Sequence, residues 1–212
     1  MQSSQNIQQS VLDHVVLGCA DLDRGVRALE QATGIRAQRG GSHAGWGTHN
    51  ALATAGGGQY VELLAPDPAQ PAGLPGALPL IGLQGLAATG WCLSCHDLDS
   101  LSYKVRRLGF ETDGARPFER MRPDGVQLRW RLLHLHHPDL PRIAPFFIDW
   151  GDTQSPGAQP PSGLHIADVG LFHPDPAKAC ALLSGLGVAW PVRAGPPALR
   201  LSLAGPSGRL VC

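Results

Sequence analysis

The apolar positions of the chain change their period in a recurring order. Leu12-Asp-His-Val-Val-Leu-Gly-Cys19 is strand-like, with Leu12, His14, Val16 and Gly18 on one face and Val15, Leu17 and Cys19 on the other. After Asp21-Leu-Asp23, Leu22, Val26 and Leu29 repeat at helical spacing. Asp21 is a predicted N-cap, because a short carboxylate accepts the orphan amide hydrogens of a first turn, and Gly34 is a predicted stop. Asp-Leu-Asp returns at 97–99, a shift of 76, after the strand-like Gly90-Trp-Cys-Leu-Ser-Cys95. Leu98, Leu101, Val105 and Leu108 then form a second helical face between Asp97 and Gly109. Strand-like runs follow each helix.

A third, shorter copy is expected near His165. Ile166–Phe172 reads as a strand, Asp175-Pro176 as a helix start with proline in the first turn, and Ala198–Leu203 as a half-buried strand. Ala65–Gly85, with five prolines, and Gly151–Gly163 read as connectors. The expected organisation is a polar tail over 1–10, a first module over 11–66, a linker over 67–85 and a second module over 86–151. A linker over 152–163 and a third partial module over 164–212 complete it. The expected fold class is α+β, with paired βαβββ modules forming a curved mixed sheet, an open cup.

Composition narrows the partners. Lys and Arg number 17 against 17 Asp and Glu, so the chain is formally neutral and carries no global footprint for nucleic acid or an anionic membrane. Only 16% of residues are charged, which points to extra surface buried by the third repeat or by a second copy in a homodimer. No apolar run is long enough to span a bilayer, and the Gln- and Ser-rich start does not read as a secretory signal. A cytoplasmic setting with reduced thiols is expected for the five cysteines. Cys92 and Cys95, three apart on a strand, fall on opposite faces and are poorly placed to share zinc or a disulfide. Neither a nucleophile elbow nor a dinucleotide fingerprint is present, so no nucleotide cofactor is expected.

Several stretches together resemble one family. Leu12–Leu17, Gly40-Gly-Ser-His-Ala-Gly-Trp-Gly-Thr-His-Asn50 and Tyr60-Val-Glu-Leu-Leu64 are similar to the glyoxalase-like domain of the vicinal oxygen chelate superfamily. Arg122-Pro-Asp-Gly125, Leu128-Arg-Trp130 and Pro145-Phe-Phe-Ile-Asp-Trp150 are similar to later motifs of the same branch, so the resemblance covers 11–151. It implies a cup between the two modules. In metal-dependent members it implies a divalent cation held by side chains from the first and last strands of each module.

The residues agree for the first module. Tyr60, Glu62 and Leu64 share one strand face, so with Val15, Leu17, Val61 and Leu63 under the helix, His14 and Glu62 both point into the cup. An imidazole and a carboxylate converging on a concavity bind a divalent ion or act as a base and its partner. The second module does not complete the set: the position matching His14 is Gly90, and the acid matching Glu62 is Asp149. His43, His49, His96 and His134 are further candidates. The Gly-rich segment reads as a rim loop entering a strand, on which Thr48 and Asn50 share a face and His49 takes the other. Trp46, His49, Asn50 and Arg122 are the candidate substrate contacts, Arg122 through bidentate grip of a carboxylate.

The expected function is that of a glyoxalase-like protein acting on a small molecule in the cup. His14 and Glu62 hold a divalent metal (Zn, Ni, Fe, Mn or Mg) or transfer protons, with isomerase, lyase, hydrolase and dioxygenase outcomes open. A metal-free protein that sequesters an apolar small molecule is the alternative. A regulatory module whose cup is filled by its own side chains is a third.

Overall fold

The computed structural model describes residues 11–122 and 124–212; the polar tail expected over 1–10 lies outside the described residues. In chain order the first unit is β1 (Leu12–Gly18), α1 (Leu22–Thr33), β2 (Gln38–His43), β3 (Thr48–Gly56) and β4 (Gln59–Pro66). The second is β5 (Ala87–Ser94), α2 (Leu98–Arg107), β6 (Arg116–Met121), β7 (Gln127–Leu133) and β8 (Phe146–Asp149). The third is β9 (His165–His173), α3 (Pro176–Gly185), β10 (Val192–Ala194), β11 (Ala198–Gly205) and β12 (Gly208–Val211). The chain therefore repeats the strand–helix–three-strand order through its third unit, and the fold is α+β.

Local chemistry starts and stops the helices where the sequence predicts. Asp21, Asp97 and Asp175 each accept an amide hydrogen, from Arg24, Ser100 and Lys178 respectively. Gly34 closes α1 in the left-handed region at φ 78°, and its N–H reaches the Glu30 carbonyl. Leu22, Val26 and Leu29 form the buried face of α1.

The first two units share one mixed sheet of eight strands, ordered β2-β3-β4-β1-β5-β8-β7-β6. β1 runs parallel to β4 and antiparallel to β5, so the two units join edge to edge through their first strands. The sheet curls until its outer strands nearly meet: a Cβ placed on Gly41 of β2 would lie 2.4 Å from the Met121 carbonyl oxygen of β6. Its helix side carries Val15, Leu17, Val61 and Leu63; the other side is concave.

The third unit is wired differently. Its four strands run β10-β9-β11-β12 in a separate sheet, so β9 pairs with β10 and β11 rather than with the last strand of its unit. The tight β11–β12 hairpin through Pro206 and Ser207 keeps β12 beside β11 and leaves the flank of β9 to the short β10. Leu164, Val169, Leu171, Leu201 and Leu203 belong to the same core as Leu29, Val61 and Trp91, so the third unit buries surface against the first two. This matches the low charge content: apolar surface on α1 and β5 is covered.

Trp91 is the clearest tie between the units. It is fully buried, its indole donates to the Ile143 carbonyl at 2.9 Å, and its ring lies 5.1 Å from that of Trp190 in the third unit. Trp190 in turn donates to the Val169 carbonyl at 2.9 Å. Trp91→Ala removes the wedge and leaves a buried carbonyl without its donor, so urea unfolding should show a loss of about 3–5 kcal/mol. A loss under about 1 kcal/mol, the range of ordinary surface changes, would contradict this role for Trp91.

Candidate functional site

Alternation along the strands sends every second side chain to the concave face. His14 and Val16 of β1, Thr48, Asn50 and Leu52 of β3, and Tyr60, Glu62 and Leu64 of β4 line a cavity of about 280 Å³. On the opposite wall stand Phe118 and Arg120 of β6, Trp130 and Leu132 of β7, and Phe146 and Ile148 of β8. Trp46 and the connector residues Pro75, Gly76, Pro79 and Leu80 line it as well. The first unit contributes most of the hydrogen-bonding groups. The second contributes an apolar wall, in which Cys92, Leu128, Trp130 and Ile148 pack as a separate buried cluster.

His14 is held on three sides. Its Nδ1 lies 2.7 Å from Asp13 Oδ1, its ring stacks on Tyr60 at 4.5 Å, and Phe146 meets it edge-on at 5.4 Å. Asp13 follows His14 onto the same side because the β1–β5 register shifts between Leu12 and His14. The second oxygen of Asp13 accepts from the Trp150 indole at 3.1 Å. A carboxylate on Nδ1 fixes the Nδ1–H tautomer and leaves the Nε2 lone pair for the cavity.

Glu62 is tied at one oxygen. Asn50 Nδ2 donates to Glu62 Oε1 at 2.7 Å and lies 3.3 Å from His43 Nε2, while His43 Nδ1 lies 2.9 Å from Thr48 Oγ1. With Asn50 donating to Nε2, His43 must be the neutral Nδ1–H tautomer, and burial, the largest influence on it, lowers its pKa in the same sense. The free oxygen, Glu62 Oε2, stands 3.7 Å from His14 Nε2. Two unengaged acceptors thus face each other on one wall. Asn50 Oδ1 is buried without a partner.

Burial raises the Tyr60 phenol well above its usual pKa, with Asp13 and Glu62 adding to the effect, so it is a neutral phenol. The Cys92 thiol is raised by the same three causes and stays protonated. Arg120 is 4% exposed; desolvation lowers its pKa and the Glu62 charge opposes that shift.

The candidates named from the sequence divide. His14, Glu62, Asn50 and Trp46 line the cavity together. His49 does not: strand alternation turns it to the helix side, where it lies in a groove with Asp21, Asp23, Arg39 and Asp67. Arg122 shares the parity of Phe118 and Arg120 but lies beyond the last residue of β6, and it turns to pair with Asp124 at 2.7 Å. Asp149 has the parity of Phe147, faces away from the cavity and accepts the Gly151 amide hydrogen; Phe146 and Ile148 occupy the cavity face instead. Among the other histidines, His43 and His134 line the cavity, His134 stacked on Phe146 at 5.3 Å. Arg120, Tyr60 and Trp130 are wall residues whose parity the sequence carries; Asp13 is not, because only the register shift brings it round.

Two groupings bear on a metal. Asp13, His14 and Cys92 bring ligand-type atoms within 4.8 Å of one another. His14 Nε2 and Glu62 Oε2 form the second, facing the cavity. In the first, both Asp13 oxygens are already engaged and His14 Nδ1 is spent on one of them. In the second there are two donors, and Gly90, Phe146 and Ile148 face them without a third. Three protein donors are usual for a catalytic zinc, so neither grouping fits a tightly held ion.

Comparison with known proteins agrees with this fold. The family model described as Glyoxalase-like domain matches residues 12–187. Among solved structures, a hypothetical protein from Staphylococcus aureus is similar over 94% of this chain and 83% of its own, at 18% identity and a TM-score of 0.62. A variant of Streptomyces coelicolor methylmalonyl-CoA epimerase, in complex with 2-nitronate-propionyl-CoA, is similar over 70% of this chain and all of its own (100%), at 19% identity and a TM-score of 0.52. A methylmalonyl-CoA epimerase in complex with methylmalonyl-CoA and NH4+ has the same coverage, identity and TM-score. No curated protein matches. Among the described residues, no helix is long and apolar enough to cross a membrane.

The neutral state that the Asn50–His43–Thr48 chain requires makes stability depend on pH. The unfolded imidazole takes a proton below a pH of about 6.5 while folded His43 resists it, so this stability is present above that pH and is lost toward acid. Burial lowers His49 and His134 in the same direction. Urea unfolding at pH 7.5 and 5.5 should show a clear loss at the lower pH and a smaller one for His43→Gln. An equal loss in both proteins would remove His43 from this role.

Proposed function

The chain belongs to the glyoxalase-like domain family, and on that premise we propose that it transfers protons on a small, largely apolar molecule bound in the cup. The observation that carries this is the facing of His14 Nε2 and Glu62 Oε2 at 3.7 Å, each with its other polar atom already bonded. A ligand C–H or O–H entering between them meets two bases. One takes the proton and becomes an acid. That proton stays there or passes across the gap to the other, and is then returned to the ligand at another face or position, so that both groups end as they began. Asp13 holds the imidazole, and Asn50 aims the carboxylate. The apolar cavity walls accept the apolar part of the molecule. Abstraction next to a carbonyl, followed by return or elimination, is the reaction class: an isomerase, epimerase or lyase. That solved structures of an epimerase share the fold supports the choice of class, as an analogy of fold.

A divalent ion, if bound, would polarise a ligand oxygen as a Lewis acid. The donor set argues against a resident one, and proton transfer by His14 and Glu62 does not require it. A second reading, sequestration without turnover, is favoured by the apolar opposite wall of Trp130, Phe146 and Ile148.

Exchange of C–H for C–D in heavy water separates these readings. We expect NMR of a panel of small ketones, 2-oxo acids and acyl thioesters to show protein-dependent exchange on at least one member. His14→Ala and Glu62→Gln should each slow it about 10²–10⁴-fold. Treatment with EDTA should leave the rate unchanged. Binding without exchange would favour sequestration. Exchange abolished by EDTA and restored by one divalent ion would mean that the ion, not the pair alone, performs the step.

A further inference from the structure

Arg120 stands apart from the other arginines. Arg39, Arg116, Arg122, Arg131 and Arg193 are exposed, and each grips a carboxylate of Asp23, Asp113, Asp124, Asp99 or Asp168. Arg120 is buried to 4% exposure and lines the cavity, yet among the described residues only burial and longer-range charges, Glu62 first, act on it, with no hydrogen bond. Its nitrogens are not among the sealed, unpartnered atoms, so the guanidinium opens onto the cavity, where a ligand can take the place of a protein partner. The glycine-rich segment makes room for it. A Cβ on Gly40 would lie 2.6 Å from Arg120 Nη1 and 2.1 Å from the unpartnered Asn50 Oδ1, and a Cβ on Gly41 would lie 2.8 Å from Arg120 Cγ. Two bare backbone positions therefore let one strand of the rim pass over the arginine without displacing it.

We propose that Arg120 is an anion receptor and that the molecule taken into this cavity is a small carboxylate with an apolar body. The guanidinium presents parallel N–H groups that match a carboxylate in two places. The aromatic wall of Phe118, Trp130 and Phe146 takes the apolar part, and about 280 Å³ accommodates an arylalkyl acid. This rests on the cavity being the ligand site, as proposed above, but not on proton transfer there.

Titration calorimetry with phenylacetate and its neutral counterpart 2-phenylethanol tests it. The native protein should bind the acid at least about tenfold more tightly than the alcohol, the advantage expected of a charge-assisted pair. Arg120→Gln should remove that preference while leaving the alcohol's affinity unchanged. Gly40→Ala, which forces a methyl group against Asn50 Oδ1 and the guanidinium, should reduce the preference without removing the arginine. Should Arg120→Gln fail to fold, the native comparison and Gly40→Ala still decide. Equal affinity for acid and alcohol in the native protein, binding of neither, or a preference that survives Arg120→Gln would overturn the proposal. Retained anion preference together with hydrogen exchange that ignores His14→Ala and Glu62→Gln would remove proton transfer and leave the receptor standing.

Discussion

The position of one strand governs the site. β1 lies between β4 and β5 in the eight-stranded sheet, parallel to the first and antiparallel to the second. Its register sets His14 beside Tyr60 and Val16 beside Glu62 on one edge, and His14 opposite Cys92 on the other. All seven of its residues are buried, so both faces constrain it: Val15 and Leu17 in the core they share with Leu22, Val26 and Leu29 of α1, His14 and Val16 over the cavity. A slip of one residue would carry His14 into the core and Val15 into the cavity, and burial of both faces forbids it.

That constraint gives the cup two unlike halves. The first unit carries the bonded chain from Thr48 through His43 and Asn50 to Glu62, and beside it Asp13 and His14. The second unit presents the equivalent strand positions as Gly90, Phe146 and Ile148. The absent side chain at Gly90 leaves room for the Phe146 ring, which a Cβ there would approach at 3.1 Å. Phe146 in turn fixes the imidazole from the edge. The second half thus supports His14 mechanically where another ligand would support it by coordination. Positive charge enters this cavity from β6, as Arg120.

The repeated order of elements is legible because its signals are local: Asp caps at 21, 97 and 175, a glycine stop at 34, and apolar spacing between them. The cup-facing parity of His14, Glu62 and Asn50 is legible for the same reason. What escapes the sequence is non-local. Arg120 and Arg122 have one parity, and only the end of the β6–β7 ladder at Met121 and Gln127 separates the inward arginine from the outward one. Asp13 reads as a core-facing residue until the register shift in β1 turns it. The third unit has the element order of the others, but its strand order depends on which edges are free when the chain returns, and no residue pattern encodes that.

His14 is an Nδ1–H imidazole, held by Asp13, with a free Nε2 lone pair beside Glu62. Long-range ¹H–¹⁵N correlation spectra of the selectively labelled histidines read this directly, before and after EDTA. The structure predicts a protonated, hydrogen-bonded Nδ1 and an unprotonated Nε2, both unchanged by the chelator. A proton on Nε2, or an Nε2 resonance that moves when a bound ion is stripped, would contradict it.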